Sequence, residues 1–244
     1  MTTVLAIVAH PDDEVIGPGG TLAGHARAGD DVHVLILAEG KSSREAVAAT
    51  GDDDTGDGSG GAEADASRAE TAAAAAALGL AGWRRLDLRD NRLDTYPLLY
   101  LAQRVGDVVE EVDPDVVYAH HPGDLNVDHE LAARAALIAC RPHVSGVRWV
   151  LAFPTLSATD AGYAGRPPFV PAVYSDIGET LEAKLDAMRC YGSELRPFPH
   201  PRSLAAMRAQ AELSGAHAGV AAAEGFSVLR GTWPPGAPGG GPTW

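Results

Sequence analysis

The chain has 244 residues, of which 45% are hydrophobic and 21% charged, and this suits one globular domain that buries its own core. Its formal net charge of −14 argues against nucleic acid and anionic membrane surfaces as partners, because both attract basic proteins, whereas it is compatible with binding a cation. Two cysteines, Cys140 and Cys190, imply no disulfide framework.

Short apolar runs alternate with helical patterns along the first two thirds of the chain. The runs that predict strands are Val4–Val8, Val32–Ala38, Trp83–Leu88, Val116–Ala119 and Val147–Phe153. The patterns that predict helices are Leu22–Arg27, Ser67–Leu78, Leu98–Val112 and Leu131–Ala139. Strands that are apolar on both faces and alternate with helices indicate a parallel sheet covered on both sides. We therefore expect an α/β, Rossmann-like layered fold with a mostly parallel sheet and an active site at the C-terminal ends of its strands.

Two segments are poor in apolar residues. The Gly/Asp-rich segment 50–66 predicts a solvated loop. Its acids are spaced partly like those of a calcium loop, but Gly56 and Asp57 stand where a ligand and an obligatory glycine belong, which disfavours calcium. The end of the chain, GTWPPGAPGGGPTW, predicts an extended or partly disordered segment. The expected organisation is a single domain over 1–226 followed by a Pro/Gly-rich tail over 227–244.

Two polar constellations follow predicted strands. The first is His10-Pro11-Asp12-Asp13-Glu14, and the second runs from His121 to His129 with the sequence HPGDLNVDH. Carboxylates crowded at one strand end repel each other, so a positive group is expected among them. A catalytic zinc requires three protein ligands, drawn from imidazole nitrogen and carboxylate oxygen, and an open position for water. His10 and Asp13 could reach one metal from a single turn, and His129 could complete the triad.

Other interpretations of these residues stay open. Each acid could cap a helix N-terminus, and for Asp128 a cap is as well supported as a role in orienting an imidazole. His10 and His129 have no capping role, which favours a metal. Gly17-Pro18-Gly19-Gly20 partly fits a dinucleotide-binding fingerprint, but the spacing fails at its last position.

Together the two constellations resemble the LmbE/PIG-L family of metal-dependent N-deacetylases. The resemblance extends over most of residues 3 to 226, and includes the segments Glu39–Arg44, Asp90–Asp94 and Tyr191–Phe198. It implies a zinc hydrolase that removes an acyl group, usually acetyl, from the amino group of a sugar or sugar conjugate. It also implies that His10, Asp13 and His129 bind the metal, and that Asp12 is the catalytic carboxylate that takes the proton of the activated water.

The chain departs from the family at one position. Several members have a histidine three residues before the last metal ligand, where this chain has Asn126. An asparagine can donate a hydrogen bond to an oxyanion but cannot deliver a proton, so His121 is the candidate for the missing imidazole. Asp128 is the candidate for the carboxylate that orients an imidazole.

Substrate contacts are expected on the loops near the strand ends. The candidates for binding sugar hydroxyls or an acidic group are Arg44, Asp90, Arg92 and Arg196. His200 and Arg202 lie in the turn-rich segment RPFPHPRS, which could fold over the site, but each is interpreted as a surface charge or a salt-bridge residue. The expected partner is a small N-acylated amino sugar or conjugate, and a homo-oligomer stays open. With no secretory signal and no apolar run long enough to span a membrane, a cytoplasmic protein without membrane contact is expected.

The expected cofactor is Zn²⁺, although Fe²⁺ or Co²⁺ suits the same ligands. One alternative is an amidase that uses this metal centre on a non-sugar N-acyl amine or thiol conjugate, or a phosphoesterase. Another is a module that binds nucleotide or senses metal without catalysis. The sequence favours catalysis, because Asp12 is a carboxylate more than three zinc ligands require.

Overall fold

The computed structural model describes residues 1–40 and 60–232. Its strands are β1 (Thr3–Val8), β2 (Asp31–Ala38), β3 (Gly82–Leu88), β4 (Val116–His120), β5 (Trp149–Phe153), β6 (Val173–Asp176) and β7 (Ala223–Gly231). Its α-helices are α1 (Asp13–Ile16), α2 (Gly19–Ala28), α3 (Gly60–Leu78), α4 (Leu98–Val112), α5 (Val127–Ala139), α6 (Leu181–Cys190) and α7 (Leu204–Ala218). Two short 3₁₀ turns span Leu93–Thr95 and Thr159–Ala161.

The strands form one sheet in the order β3-β2-β1-β4-β5-β7-β6. The first five are parallel, whereas β7 runs antiparallel to both β5 and β6. The chain leaves β1 towards β2 on one side and later returns to place β4 on the other side. Beyond the carboxyl ends of β1 and β4 the connections therefore diverge, which opens the crevice where ligands bind in sheets of this type.

The continuously apolar sequence of strand β1 reflects burial on both of its faces. All of its residues from Val4 to Val8 are fully buried. Leu5 and Ile7 pack into the core layer that contains α4 and α5, whereas Val4, Ala6 and Val8 pack on the opposite face with Leu22 of α2. Because both faces of the strand are covered by helices, no position alternates to solvent.

The predicted α/β fold with a mostly parallel sheet is confirmed. The loop predicted over 50–66 is wrong in its last part, because α3 already begins at Gly60, in an Ala-rich stretch that favours helix. The earlier residues of that loop, including Asp52 and Asp54, lie outside the described residues.

The predicted domain boundary at residue 226 falls inside a strand. β7 continues to Gly231, and Ser227 and Val228 pair with Ala152 and Leu151 of β5. Ladder hydrogen bonds to β5 therefore extend the sheet past the predicted start of the tail, and the part of the tail beyond 232 lies outside the described residues. No helix in the described ranges is both long enough and apolar enough to cross a bilayer.

A buried ion pair from the C-terminal part of the chain fixes the turn between α1 and α2. The ammonium of Lys184 donates to the carbonyl oxygens of Ile16 and Gly17, each at 2.9 Å, and pairs with Glu224. The Glu224 carboxylate also accepts from the backbone N–H of Gly20 at 2.9 Å. These bonds connect α6 and β7 to the backbone that directly follows the first constellation.

Candidate metal centre

The two constellations meet at the carboxyl ends of β1 and β4. After β1 the chain turns sharply at Asp12, whose φ of 102° lies in the left-handed region. The backbone N–H of His10 donates to Asp13 Oδ2 at 2.8 Å, which closes this turn. After β4, the side chain of Asn126 accepts from the backbone N–H of Asp128 at 2.8 Å and so forms the N-cap of α5.

Three ligand-type atoms form a nearly equilateral triangle. His10 Nδ1 lies 3.2 Å from His129 Nε2 and 3.3 Å from Asp13 Oδ2, and the latter two atoms are 3.4 Å apart. Ligands placed tetrahedrally at about 2.0–2.1 Å from a zinc ion are about 3.3–3.4 Å apart. The other oxygen of Asp13, Oδ1, is buried without a hydrogen-bond partner among the described residues. The donor set and its spacing therefore fit one divalent ion.

Carboxylates lie beside the outer nitrogen of both imidazoles. His10 Nε2 lies 3.1 Å from Asp128 Oδ2 and 3.1 Å from Asp90 Oδ1. His129 Nδ1 lies 3.3 Å from Asp124 Oδ1, although its N–H is not aligned for a good hydrogen bond. A proton held on each outer nitrogen leaves the inner nitrogen free to bind a metal. Since Asn126 is the cap of α5, Asp128 is free to contact His10.

The charges of the cluster are those of a site that requires a cation. Burial lowers the pKa of His129, but the Asp13 and Asp124 carboxylates outweigh it and raise that pKa to about 9. Burial likewise lowers the pKa of His10, but hydrogen bonds to Asp128, Asp13 and Asp90 raise it well above its usual value. Burial alone would raise the pKa of Asp13, yet the charge of His129 holds it well below its usual range. Protons on the two imidazoles therefore supply the positive charge that a bound metal ion would otherwise provide.

His120 lies beside the triangle as a structural support. Its Nε2 is 3.3 Å from Asp13 Oδ2, but it accepts the backbone N–H of Ala9 at 3.0 Å, so that lone pair is already used. Its Nδ1 contacts Thr155 Oγ1 at 3.1 Å, and its ring stacks on His129 with centroids 4.0 Å apart. Burial and the nearby His129 charge lower the pKa of His120 to about 4, so the ring is neutral.

Asp12 adjoins the triangle without belonging to it. Its carboxylate is 1% exposed and contacts the Arg202 guanidinium, with Oδ2 3.2 Å from Nη1. Burial raises the pKa of Asp12 well above its usual value. Glu14 is turned away from the triangle and accepts the Tyr191 hydroxyl at 2.6 Å, and burial raises its pKa to about 7. Of the three acids in the first constellation, Asp12 is thus the one that lines the cleft described next.

A polar cleft of about 150 Å³ opens onto these residues. It is lined by His10, Pro11, Asp12, Gly40, Ser67, Glu70, Asp90, Asn91, Asn126, Tyr191, Glu194 and Arg202. Two predicted site residues, Asp90 and Asn126, therefore face the same space as His10 and Asp12. Arg202 does so as well, and its side chain pairs with Asp12 and Glu194, as the salt-bridge interpretation allows.

Other predicted residues lie elsewhere. His121 is not among the residues that line the cleft, and its Nε2 contacts the carbonyl oxygen of Pro167 at 2.9 Å. Arg92 is exposed, and Arg196 donates to the carbonyl oxygens of its own turn. Arg44 lies outside the described residues.

Two residues with clear roles in the geometry were missed by the sequence analysis. Asp124, which lies beside His129, was present in the second motif but carried no assigned role, although it stands only five residues before the ligand. Arg202 was weighed as part of a turn-rich segment that could fold over the site, but its pairing with Asp12, which spans 190 positions of the chain, was not predicted.

The sequence profile of the PIG-L family, described as GlcNAc-PI de-N-acetylase, matches residues 5–140, more than half of the chain. The chain belongs to the PIG-L family. The resemblance inferred from the two constellations is confirmed, and both constellations lie inside the matched span. Among curated proteins, none matches the chain significantly.

Several solved structures share the fold over nearly the whole chain. The conserved protein TT1542 from Thermus thermophilus is 25% identical, with 97% of this chain and 99% of that one covered and a TM-score of 0.71. The N,N'-diacetylchitobiose deacetylase from Pyrococcus horikoshii is 24% identical, with coverages of 93% and 83% and a TM-score of 0.69. GalB, the 4-carboxy-2-hydroxymuconate hydratase from Pseudomonas putida, is 23% identical, with coverages of 97% and 100% and a TM-score of 0.72. Since a deacetylase and a hydratase share this architecture, the reaction must be argued from the site.

Proposed function

We propose that this PIG-L family protein is a metal-dependent hydrolase that removes an N-acyl group, acetyl in the first instance, from a small amino sugar or sugar conjugate. The observation that carries the proposal is the triangle of His10 Nδ1, Asp13 Oδ2 and His129 Nε2, with the carboxylate of Asp12 beside it. Membership of a de-N-acetylase family supports the reaction type. The polar cleft suits a substrate rich in hydroxyl groups.

His10, Asp13 and His129 would hold the ion, with Zn²⁺ as the first choice and Fe²⁺ or Co²⁺ compatible with the same ligands. When bound, such an ion lowers the pKa of a coordinated water and polarises an acyl carbonyl. Asp128 and Asp124 would keep the two imidazoles in the orientation that binding requires. Neither carboxylate needs to contact the substrate.

Asp12 would act as the general base. Its carboxylate accepts one proton of the attacking water while the water oxygen forms a bond to the acyl carbon. The same proton is then passed to the nitrogen as the carbon–nitrogen bond breaks. The products are an acid and a free amine, so the oxygen and both hydrogens of the water are accounted for. We assign both proton transfers to Asp12, because the Nε2 of His121 is engaged with Pro167.

Asn126 would stabilise the developing negative charge on the acyl oxygen. Its Oδ1 accepts the backbone N–H of Asp128, so the amide NH₂ is left on the other side, and Asn126 lines the cleft. Removing one donor of this kind typically lowers the rate by about 100-fold or more. Asn126 would thus replace the histidine of other family members as a donor, though not as an acid.

The test is release of free amine from N-acetylglucosamine conjugates by purified protein, with metal content measured on the same sample. We expect activity that a chelator abolishes and added zinc restores. Asp12→Asn should lower kcat by about 1000-fold or more, since it removes the base, and it should leave bound metal unchanged. Asp107→Asn is the matched control and should behave like the wild type, because Asp107 lies on α4 with its side chain 54% exposed.

Activity that is indifferent to chelation would contradict the proposal. Metal-dependent release from acylated amino acids or thiol conjugates, with none from sugars, would keep the metal centre but replace the substrate class. Screening both classes in parallel therefore separates the chemistry from the specificity.

A further inference from the structure

Arg202 connects the C-terminal segment of the chain to Asp12. Its Nη1 lies 3.2 Å from Asp12 Oδ2 and 3.2 Å from Glu194 Oε2, and its Nε lies 3.3 Å from Ser157 Oγ. The Arg202 side chain is 25% exposed and lines the cleft. Arg202, Glu194 and Ser157 all come from beyond residue 140, where the match to the family profile ends.

The backbone around Arg202 is fixed before any ligand arrives. The Arg202 N–H donates to His200 Nδ1 at 3.0 Å, and its carbonyl accepts from the backbone N–H of Arg196 at 3.2 Å. The next residue, Ser203, caps α7 by accepting the N–H of Ala206 at 3.1 Å. The guanidinium therefore projects from the rigid start of a helix, which restricts the positions it can reach.

Asp12 needs such a partner. The Asp12 side chain is almost fully buried, and the backbone of Asp12 lies in the left-handed region. The next residue, Asp13, carries an ionised carboxylate. Repulsion between neighbouring carboxylates raises the pKa of one of them, and a nearby cation opposes that rise. Among the cleft-lining residues that the structure describes, Arg202 is the cationic side chain that meets Asp12.

We propose that Arg202 is a positioning residue that holds the Asp12 carboxylate in the orientation needed to take a proton from the attacking water. Glu194 accepts from the same Nη1, so that this nitrogen bridges two carboxylates, while Nε contacts Ser157. The hydrogen bond to Oδ2 restrains the rotation of the Asp12 carboxylate and leaves Oδ1 as the oxygen that takes the proton. This inference rests on the proposed function, in which Asp12 is the general base.

The test compares Arg202→Ala and Arg202→Lys with the wild type. Misplacing a reacting group by about 1 Å costs on the order of 100-fold in rate, so Arg202→Ala should lower kcat about 100-fold while KM changes about threefold or less. Arg202→Lys should lose about 10-fold, because a single ammonium keeps the charge but cannot keep both the carboxylate contacts of Nη1 and the separate contact of Nε with Ser157. Methylguanidine should restore part of the kcat of Arg202→Ala and none of that of Asp12→Asn. Bound metal should stay at the wild-type level in each variant.

Arg208→Ala is the matched control, since Arg208 lies on α7, the helix that begins just after Arg202, is 39% exposed and pairs with Glu182. It should leave kcat, KM and metal content unchanged. A crystal structure of Arg202→Ala supplies a second readout, in which the Asp12 carboxylate should be rotated relative to the wild type. This readout needs no turnover and also shows whether the variant is folded.

Each failure has its own signature. If the wild type shows no metal-dependent deacylation, the proposed function falls and the role of Arg202 falls with it. If the wild type is active and Asp12→Asn is not, but Arg202→Ala keeps its kcat, only the positioning role is overturned. A rise in KM at unchanged kcat also overturns it, because Arg202 would then contact the substrate instead of Asp12.

Discussion

Replacing Asp128 by asparagine tests how the site holds its first imidazole. Asp128 is fully buried, and its Oδ2 lies 3.1 Å from His10 Nε2 while its Oδ1 accepts the backbone N–H of Leu93 at 3.1 Å. Asparagine has nearly the same shape and keeps an oxygen for Leu93. It places an NH₂ group opposite the Nε2–H of His10, however, and two donors repel. The ring of His10 must then rotate or move its proton to Nδ1, the nitrogen of the triangle.

The expected size of the effect follows from these contacts. Losing the carboxylate behind a metal-binding histidine typically weakens metal binding by about 10- to 100-fold, or about 1.4–2.7 kcal/mol. Asp90 Oδ1 also lies 3.1 Å from His10 Nε2 and can replace part of the bond, so the single variant should fall near the lower value. Adding Asp90→Asn should bring the loss towards the upper value. The free energy of unfolding of metal-free Asp128→Asn should also fall at pH 7, because the carboxylate that raises the pKa of His10 is lost, although Leu93 keeps its acceptor.

The assay is zinc affinity by competition with a chromophoric chelator, with urea unfolding measured in parallel. Glu130→Gln is the matched control, since Glu130 lies in the same first turn of α5 and pairs with Arg166 instead of His10. It removes the same charge and should leave zinc affinity unchanged. Equal losses in Asp128→Asn and Glu130→Gln would refute the hydrogen-bond explanation, because a general loss of negative charge would then suffice.

Two further predictions concern protons and packing. In the metal-free protein the pKa of His129 is raised to about 9 and that of His10 well above its usual value, so both rings are protonated at pH 7 and must lose protons when a metal binds. Zinc addition in weak buffer at pH 7 should release up to about two protons per ion, and zinc affinity should rise as the pH approaches 9. If an indicator dye records no proton release, the protonation of the two rings in the metal-free protein is contradicted. Gly20→Ala should lower the free energy of unfolding by about 1–3 kcal/mol, because the new Cβ would lie 2.8 Å from Ile177 Cδ1 and 2.9 Å from its Cβ. Gly24→Ala on the same helix meets no atom within 4 Å and should stabilise by about 0.5–1 kcal/mol, so similar urea midpoints for the two variants would refute the packing argument.

The part of the fold that sequence predicts is the part with strong periodicity. Strands β1, β2, β4 and β5 are short, mostly apolar runs, β3 alternates apolar with charged residues, and each of the five overlaps a predicted strand. The helix α7 was not predicted, because its Ala-rich sequence carries few large apolar residues to mark one face. β6 is also without a signal, since its residues are half-buried or exposed at the sheet edge.

The candidate site also has a part that the sequence predicts and a part that it does not. His10, Asp13 and His129 belong to two compact motifs at strand ends, so the topology of a parallel sheet is enough to predict that they lie close together. The orienting role of Asp128 could be weighed against a helix cap but not chosen, since the choice depends on Asn126 occupying the cap. The contact between Arg202 and Asp12 could not be predicted from the sequence, because it depends on how the whole C-terminal segment folds back over the first turn.

The claim on which the mechanism depends is that the two constellations share one ion. Crystals of the zinc-loaded protein, measured at the zinc absorption edge, test it directly. The account predicts a single anomalous peak at about 2.0–2.2 Å from His10 Nδ1, Asp13 Oδ2 and His129 Nε2. A peak held instead between Asp90 and Asp128, or no peak within reach of the three atoms, would contradict it.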